Sequence, residues 1–167
     1  MKKAFVFDFD DTLAITDACV LLRHTTGDEL FLPVKLTPSE FNDYELKEGE
    51  SFDFSEFRCA SLIENGRPKE LITLAKEVYD ENHPVYILTA RSNDVSDAIA
   101  KFLRLHGIEA KQIICVGDDD KDGDIANSKR RSLLTIMKLY DKIYYYDDCP
   151  KNIELAPKGK NIRKYKV

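Results

Sequence analysis

The stretch Lys3-Ala4-Phe5-Val6-Phe7-Asp8-Phe9-Asp10-Asp11-Thr12 constrains the chain more than any other. Ala4 to Phe7 is a continuous apolar run, as expected of a strand buried on both faces of a parallel sheet. It stops at Asp8, where three carboxylates fall within four positions. Open α/β sheets bind ligands just beyond the carboxyl ends of their strands. Acids gathered there repel one another and lose hydration, a cost that a bound cation relieves. Magnesium suits such a place, because it takes oxygen ligands and leaves room for a substrate phosphate. A solvated acidic turn is the plainer alternative, and the rest of the chain has to decide between them.

At 167 residues the chain is sized for one domain. Its 43% hydrophobic and 33% charged content is that of a globular protein. No apolar run approaches the ~18 residues of a membrane span, and Asp8 interrupts any N-terminal signal region, so a cytoplasmic protein without membrane association is expected. Cys19, Cys59, Cys115 and Cys149 have no metal-like spacing and read as reduced thiols. A net charge of −5 argues against indiscriminate coating of nucleic acid.

Between Thr12 and Pro68 the pattern is irregular. Cys19 to His24 and Glu29 to Lys35 are strand-like, with Thr25-Thr26-Gly27-Asp28 as a hairpin turn between them. Thr37-Pro38-Ser39-Glu40 reads as a helix start, with Thr37 as cap, Pro38 as first helical residue and Glu40 as capping-box partner. Residues 15–66 are taken as an acidic insert over the strand ends, either a lid or a decorative extension. From Pro68 the chain becomes regular. Pro68 opens a helix that carries Leu71, Ile72, Leu74, Ala75, Val78 and Tyr79 on one period. The strand Val85 to Leu88 ends at Thr89-Ala90-Arg91-Ser92. Asn93 starts a second helix with Val95, Ile99, Phe102 and Leu103 inward and Gly107 as its stop. Ile113 to Val116 is a third strand, a helix runs from Ser128, and Ile143 to Tyr146 is a fourth strand ending at Asp147-Asp148. Asn161 to Val167 adds an edge strand. Alternating strands and helices imply a doubly wound α/β domain with a parallel sheet.

Asp8-Phe9-Asp10-Asp11-Thr12, then Thr89, then a lysine opening a helix, then Asp147-Asp148, together resemble the haloacid dehalogenase superfamily of phosphotransferases. The resemblance runs from Lys3 to about Asn152, with the insert where that family often places its cap, and it is closest to small-cap members acting on nucleotides or phosphorylated nucleic-acid ends. It implies a single Rossmann-like domain over residues 1–167, Mg2+ as cofactor, and phosphate-monoester hydrolysis through an aspartyl-phosphate.

The resemblance assigns roles residue by residue. Asp8 would be the nucleophile and Asp10 the acid that protonates the leaving oxygen and then activates water. Asp8, the Asp10 carbonyl, Asp147 and Asp148 would hold the metal, with Asn152 orienting the acids. Thr89 and backbone groups near Ala90 would bind the phosphoryl oxygens, and Lys129, at a helix N-terminus, would offset their charge. Thr12 would orient Asp10 or close the turn, whereas Asp11 would be a solvated turn residue. Arg91 would either reach the substrate or sit at the surface. Lys121 rivals Lys129.

Two other patterns compete in the chain. Gly117-Asp118 with Asp122 also fits the family's alternative last acidic motif, which would move the lysine to Lys101 or Lys111. The family's usual strand order favours Asp147-Asp148, since Ile113 to Val116 fills the intervening slot. Asp118-x-Asp120-x-Asp122-Gly123 imitates an EF-hand opening, but Lys129 stands where the bidentate glutamate belongs.

The expected partner is a phosphorylated small molecule or nucleic-acid end, with no stable protein partner. From Lys151 onward six Lys or Arg accompany Glu154 alone, a basic tail able to guide a polyphosphate or simply a solvated edge. A non-catalytic binding protein on the same fold is the competing class, as is a phosphatase for a non-nucleotide metabolite. Loss of Asp8 or Asp10 would have signalled the former, and neither is lost. Dehalogenation needs no magnesium, and a phosphomutase needs a dedicated cap residue that is not seen here.

Overall fold

The computed structural model describes residues 1–24, 32–118 and 124–167, and all but the side chain of Asn42 within them. The hairpin turn expected at Thr25 to Asp28 lies outside the described residues, as do Lys121 and most of the EF-hand-like stretch.

The apolar run forms β1 (Lys3–Phe7). After the acidic turn come β2 (Ala14–Ile15), β3 (Val20–His24) and β4 (Val34–Leu36), followed by α1 (Pro38–Asp43). Thr37 and Glu40 make the reciprocal capping box that the sequence predicts, with Pro38 in the first turn. Then follow β5 (Glu50–Asp53), a 3-10 helix (Ser55–Arg58), α2 (Ala60–Glu64) and β6 (Arg67–Pro68). The regular part comprises α3 (Leu71–Asp80), β7 (Val85–Thr89), α4 (Ser96–Leu105), β8 (Gln112–Cys115), α5 (Ile125–Met137), β9 (Lys142–Asp147), α6 (Pro150–Leu155) and β10 (Ile162–Lys166).

Five of these strands form one parallel sheet in the order β10-β9-β1-β7-β8. Side chains alternate between its faces, as a pleated strand requires. Phe5 and Phe7 face α3 and α4, packing with Val78, Ile99 and Phe102. Ala4 and Val6 face α5 and α6, with Leu133, Ile136 and Ala156. The central strand is thus apolar throughout because both of its faces are covered. The chain builds outward from β1 to β8, then crosses back to β9, so the order reverses between β1 and β9. In open α/β sheets such a switch point, at the carboxyl ends of the strands, is where ligands bind.

Three helix starts differ from those read in the sequence. Pro68 pairs with Ala14 in the β2–β6 ladder, so α3 opens later, at Leu71. Ser92, not Asn93, caps the 3-10 turn that leads into α4, because its hydroxyl accepts from the Asp94 N–H. Asp124 caps α5, which therefore begins at Ile125 and carries Lys129 in its second turn rather than at its terminus. In each case a neighbouring hydrogen bond competes successfully with a generic start signal.

The β2–β6 pair closes the two ends of the intervening segment against each other. Within that segment β4, β3 and β5 form an antiparallel sheet around Val20, Leu22 and Leu36, with Phe41, Tyr44, Phe52 and Phe57 packed against them. No helix among the described residues is long and apolar enough to cross a membrane.

Candidate active site

Asp8 lies one residue beyond β1, and Asp147 ends β9, the adjoining strand. Pairing of Phe7 with Tyr146 sets both acids at the same level. Lys129 joins them from α5, donating to Asp8 Oδ1 at 2.7 Å and to Asp147 Oδ2 at 2.8 Å. It belongs to the buried stripe Ala126, Lys129, Leu133, Ile136, so the helix period delivers an ammonium to the strand ends. Thr12 donates to Asp8 Oδ2 at 3.1 Å, and its hydroxyl lies 3.5 Å from Asp148 Oδ1.

Asp147 is fully buried and densely hydrogen-bonded. It accepts from the Cys149 N–H at 2.9 Å, from Asn152 Nδ2 at 3.0 Å and from the Tyr145 hydroxyl. Tyr145 had read simply as strand core. The signal that marks it is the period of two: Tyr145 and Asp147 share a face of β9, whereas Tyr144 and Tyr146 face the other way.

Carboxylate oxygens of Asp8, Asp147 and Asp148 all lie within 4.8 Å of one another. Burial pushes the Asp8 carboxyl well above the ordinary carboxylate range, and repulsion from Asp147 and Asp148 adds to this despite the opposing Lys129. Asp148 is raised by burial first, and then by repulsion from Asp147 and Asp11. Burial works against the Lys129 ammonium too, but Asp8 and Asp147 outweigh it and hold the proton on. Three carboxylates thus share one ammonium. A divalent cation with a preference for oxygen would balance that set, so the donors fit Mg2+.

Asp10 belongs to a second constellation. Arg91 donates to it twice, through Nε to Oδ2 at 2.8 Å and Nη2 to Oδ1 at 2.6 Å. Its Nη2 also donates to Thr16 Oγ1 at 2.7 Å and its Nη1 to the Phe57 carbonyl at 2.7 Å. The Phe57 ring lies against the guanidinium at 5.1 Å. The Arg91 side chain is 1% exposed, which excludes the surface position. Neither Thr16 nor Phe57 stood out in the sequence, since one is a lone threonine and the other one of several insert phenylalanines.

Thr89 is buried at the end of β7 and accepts from the Arg91 N–H at 3.2 Å. The backbone beside it is braced by Gly117. A Cβ there would come within 2.4 Å of the Ala90 carbonyl, so only glycine permits the approach. Asp118 turns to its own loop, accepting from Ser92 Oγ and the Asn93 N–H, each at 2.8 Å, and its pKa is lowered by these bonds. Lys101 pairs with Glu64, and Lys111 lines a groove at the opposite end of the sheet with Tyr79 and His83. Neither of these lysines stands where Lys129 does. Asp122 lies outside the described residues. Asp11 has a left-handed backbone with φ 56°, and burial raises its carboxyl. Its carbonyl accepts from Lys69 at 2.6 Å, so it is a turn residue that is partly buried rather than freely solvated.

No family model matches the sequence, and no curated protein matches it. Among solved structures, a haloacid dehalogenase-like family hydrolase from Streptococcus pneumoniae superposes with a TM-score of 0.58 at 19% identity, covering 98% of this chain and 83% of the other. A HAD-superfamily hydrolase from Ehrlichia chaffeensis aligns over 99% of this chain and 93% of its own at 16% identity, with a TM-score of 0.47. The Streptococcus likeness, at that identity, is one of architecture: the chain has the haloacid dehalogenase-like fold.

Proposed function

We propose that the protein is a haloacid dehalogenase-type phosphatase that hydrolyses phosphate monoesters with Mg2+. One observation carries the reading: a buried carboxylate, Asp8, is held by Lys129 and Thr12 at the switch point of the sheet, in an acid cluster that one ammonium does not balance. Such a cluster is costly in a purely structural role.

In this reading one oxygen of Asp8 attacks phosphorus as the ester bond breaks, and Asp10 gives its proton to the departing oxygen. Asp10 then takes a proton from water, which attacks the aspartyl-phosphate and releases inorganic phosphate and the Asp8 carboxylate. The Thr89 hydroxyl and the N–H groups after it bind the phosphoryl oxygens, while Lys129 offsets charge on the nucleophile and the phosphate. Asp8, Asp147, Asp148 and the Asp10 carbonyl would hold the metal, and Asn152 keeps Asp147 oriented. A bound Mg2+ supplies positive charge to the phosphoryl oxygens and relief of repulsion among the acids. The segment 15–66 acts as a lid, which the hydrogen bonds of its Thr16 and Phe57 to the buried Arg91 support. Nucleotides or phosphorylated nucleic-acid ends are the substrates we favour, on the resemblance together with the basic C-terminal stretch.

The test is phosphate release from an aryl phosphate, with and without magnesium, in wild type and Asp8→Asn. Magnesium-dependent turnover that falls about 10⁴-fold in the variant supports the reading. Substrates of the same assay, mononucleotides against 3′- and 5′-phosphorylated oligonucleotides, then sort the class. A folded, magnesium-loaded protein inert toward all of them would instead favour a binding protein on this fold.

A further inference from the structure

Arg91 lies two residues beyond β7, near the switch point of the sheet, yet its guanidinium is spent within the protein. Four donated hydrogen bonds reach Asp10, Thr16 and Phe57. A guanidinium has five N–H donors in a rigid fork, so almost nothing remains for a substrate. The three partners come from different parts of the molecule. Asp10 belongs to the acidic turn after β1. Thr16 follows β2, near the start of segment 15–66. Phe57 belongs to the 3-10 helix Ser55–Arg58 within that segment, and contributes both its carbonyl and its ring. Thr16 also closes the circuit directly, since its hydroxyl donates to Asp10 Oδ1 at 3.1 Å.

We infer that Arg91 is a positioning residue that couples the docked state of segment 15–66 to the placement of the Asp10 carboxylate. This rests on the acid–base role proposed above for Asp10. Oδ1 of Asp10 accepts from Arg91 Nη2 and from Thr16 Oγ1 while Oδ2 accepts from Arg91 Nε, so the network fixes the orientation of the carboxylate and leaves its free lone pair on Oδ2. The guanidinium that sets this orientation is held in turn by Thr16 and Phe57, both of which belong to the segment. Docking of the segment and readiness of the acid are therefore one linked equilibrium. Linkage is reciprocal: a change at Asp10 must loosen the segment, and a change in the segment must alter catalysis.

The contrast with Arg58 sharpens the point. Arg58 also ties the segment to the core, through Asp94 and Asp118, but its side chain is 57% exposed. Screened by solvent, that contact adds little. The buried contact carries the coupling.

Amide hydrogen exchange across residues 50–59 and steady-state kinetics test this together, on the full chain. Asp10→Asn and Arg91→Lys keep size and, for lysine, charge, but lose the forked pairing. Each is expected to speed exchange in the Ser55–Arg58 helix about 10-fold while β1 and β7 amides stay protected. Thr16→Val is expected to lower kcat about 10-fold with KM for the aryl phosphate nearly unchanged, and Thr16→Ser to restore it. Glu64→Gln, at an exposed pair with Lys101, should change neither readout. Unaltered exchange in both Asp10→Asn and Arg91→Lys overturns the coupling, as does a Thr16→Val enzyme with wild-type kcat. If the wild type cleaves no phosphate ester, the phosphatase reading fails by itself. The exchange experiment still decides whether the segment and Asp10 are linked.

Discussion

Two buried ion clusters occupy the carboxyl end of the sheet, anchored on acids only two residues apart in the chain, and they are balanced differently. Around Asp10 one guanidinium meets one carboxylate, and a hydroxyl, a carbonyl and an aromatic ring complete its partners. Around Asp8 three carboxylates share a single ammonium. The first arrangement satisfies itself. The second keeps an excess of negative charge away from water, and burial with that repulsion raises the Asp8 carboxyl, a cost that a bound cation would relieve. A fold that merely needed to be stable would not retain the second beside the first. The imbalance marks the place where chemistry is expected, and the balance marks the place where geometry is controlled.

Removing Lys129, the one cation that the described residues bring to the unbalanced cluster, should have the largest effect on stability. Lys129→Met leaves the buried acids uncompensated and is expected to cost about 3–5 kcal/mol in urea unfolding. A loss below about 1 kcal/mol would mean that the acids already take up protons to neutralise themselves.

Next in size is the response to metal. Magnesium at a hundredfold excess over its dissociation constant should stabilise the wild type by about 2.7 kcal/mol, read as a rise in Tm. Asp148→Asn should lose most of that rise. Asp10→Asn, in the balanced cluster, should keep it, because the change spares the backbone carbonyl. Equal loss in both variants would dissolve the distinction between the two clusters.

The pH dependence of the metal-free protein follows from the raised Asp8 carboxyl. The folded state holds that proton more tightly than the unfolded chain. Its contribution is fully present below the ordinary aspartate value of about 4 and is lost as pH rises through the elevated folded value. Metal-free wild type should therefore become less stable with rising pH over that window, by at most about 1.4 kcal/mol per pH unit for this group. Asp8→Asn should flatten the slope. An unchanged slope would place the titration elsewhere.

Smallest is the loss of a single hydrogen bond. Tyr145→Phe removes the hydroxyl that donates to Asp147 and should cost about 1–2 kcal/mol. Thermal unfolding of the metal-free variant measures it, and restoration of the loss by magnesium would show that Tyr145 serves the acid cluster rather than the core.

Much of this architecture was legible from residue pattern. The unbroken apolar run before Asp8 required a strand covered on both faces, and the capping box at Thr37 appears where its spacing put it. Lys129 was found among candidates, but its helix register was not, because the cap at Asp124 outcompeted the start expected near Ser128. Arg91 was recognisable as noteworthy and unreadable in role. Its partners Asp10, Thr16 and Phe57 are separated from it by 81, 75 and 34 positions, and no local periodicity connects them.

The sequence by itself determined the parallel sheet and the acids at the carboxyl ends of its strands, because period-two and period-3.6 patterns and strand endings are local properties of a chain. Tertiary structure decided how charge is apportioned among those acids. It placed β9, not β8, beside β1, so that Asp147 and Asp148 meet Asp8 while Asp118 turns to Ser92 and Asn93. It also delivered one buried cation to each cluster. Which carboxylate is neutralised by which cation depends on distances of a few ångströms across strands far apart in sequence, and those are set only when the sheet closes its order.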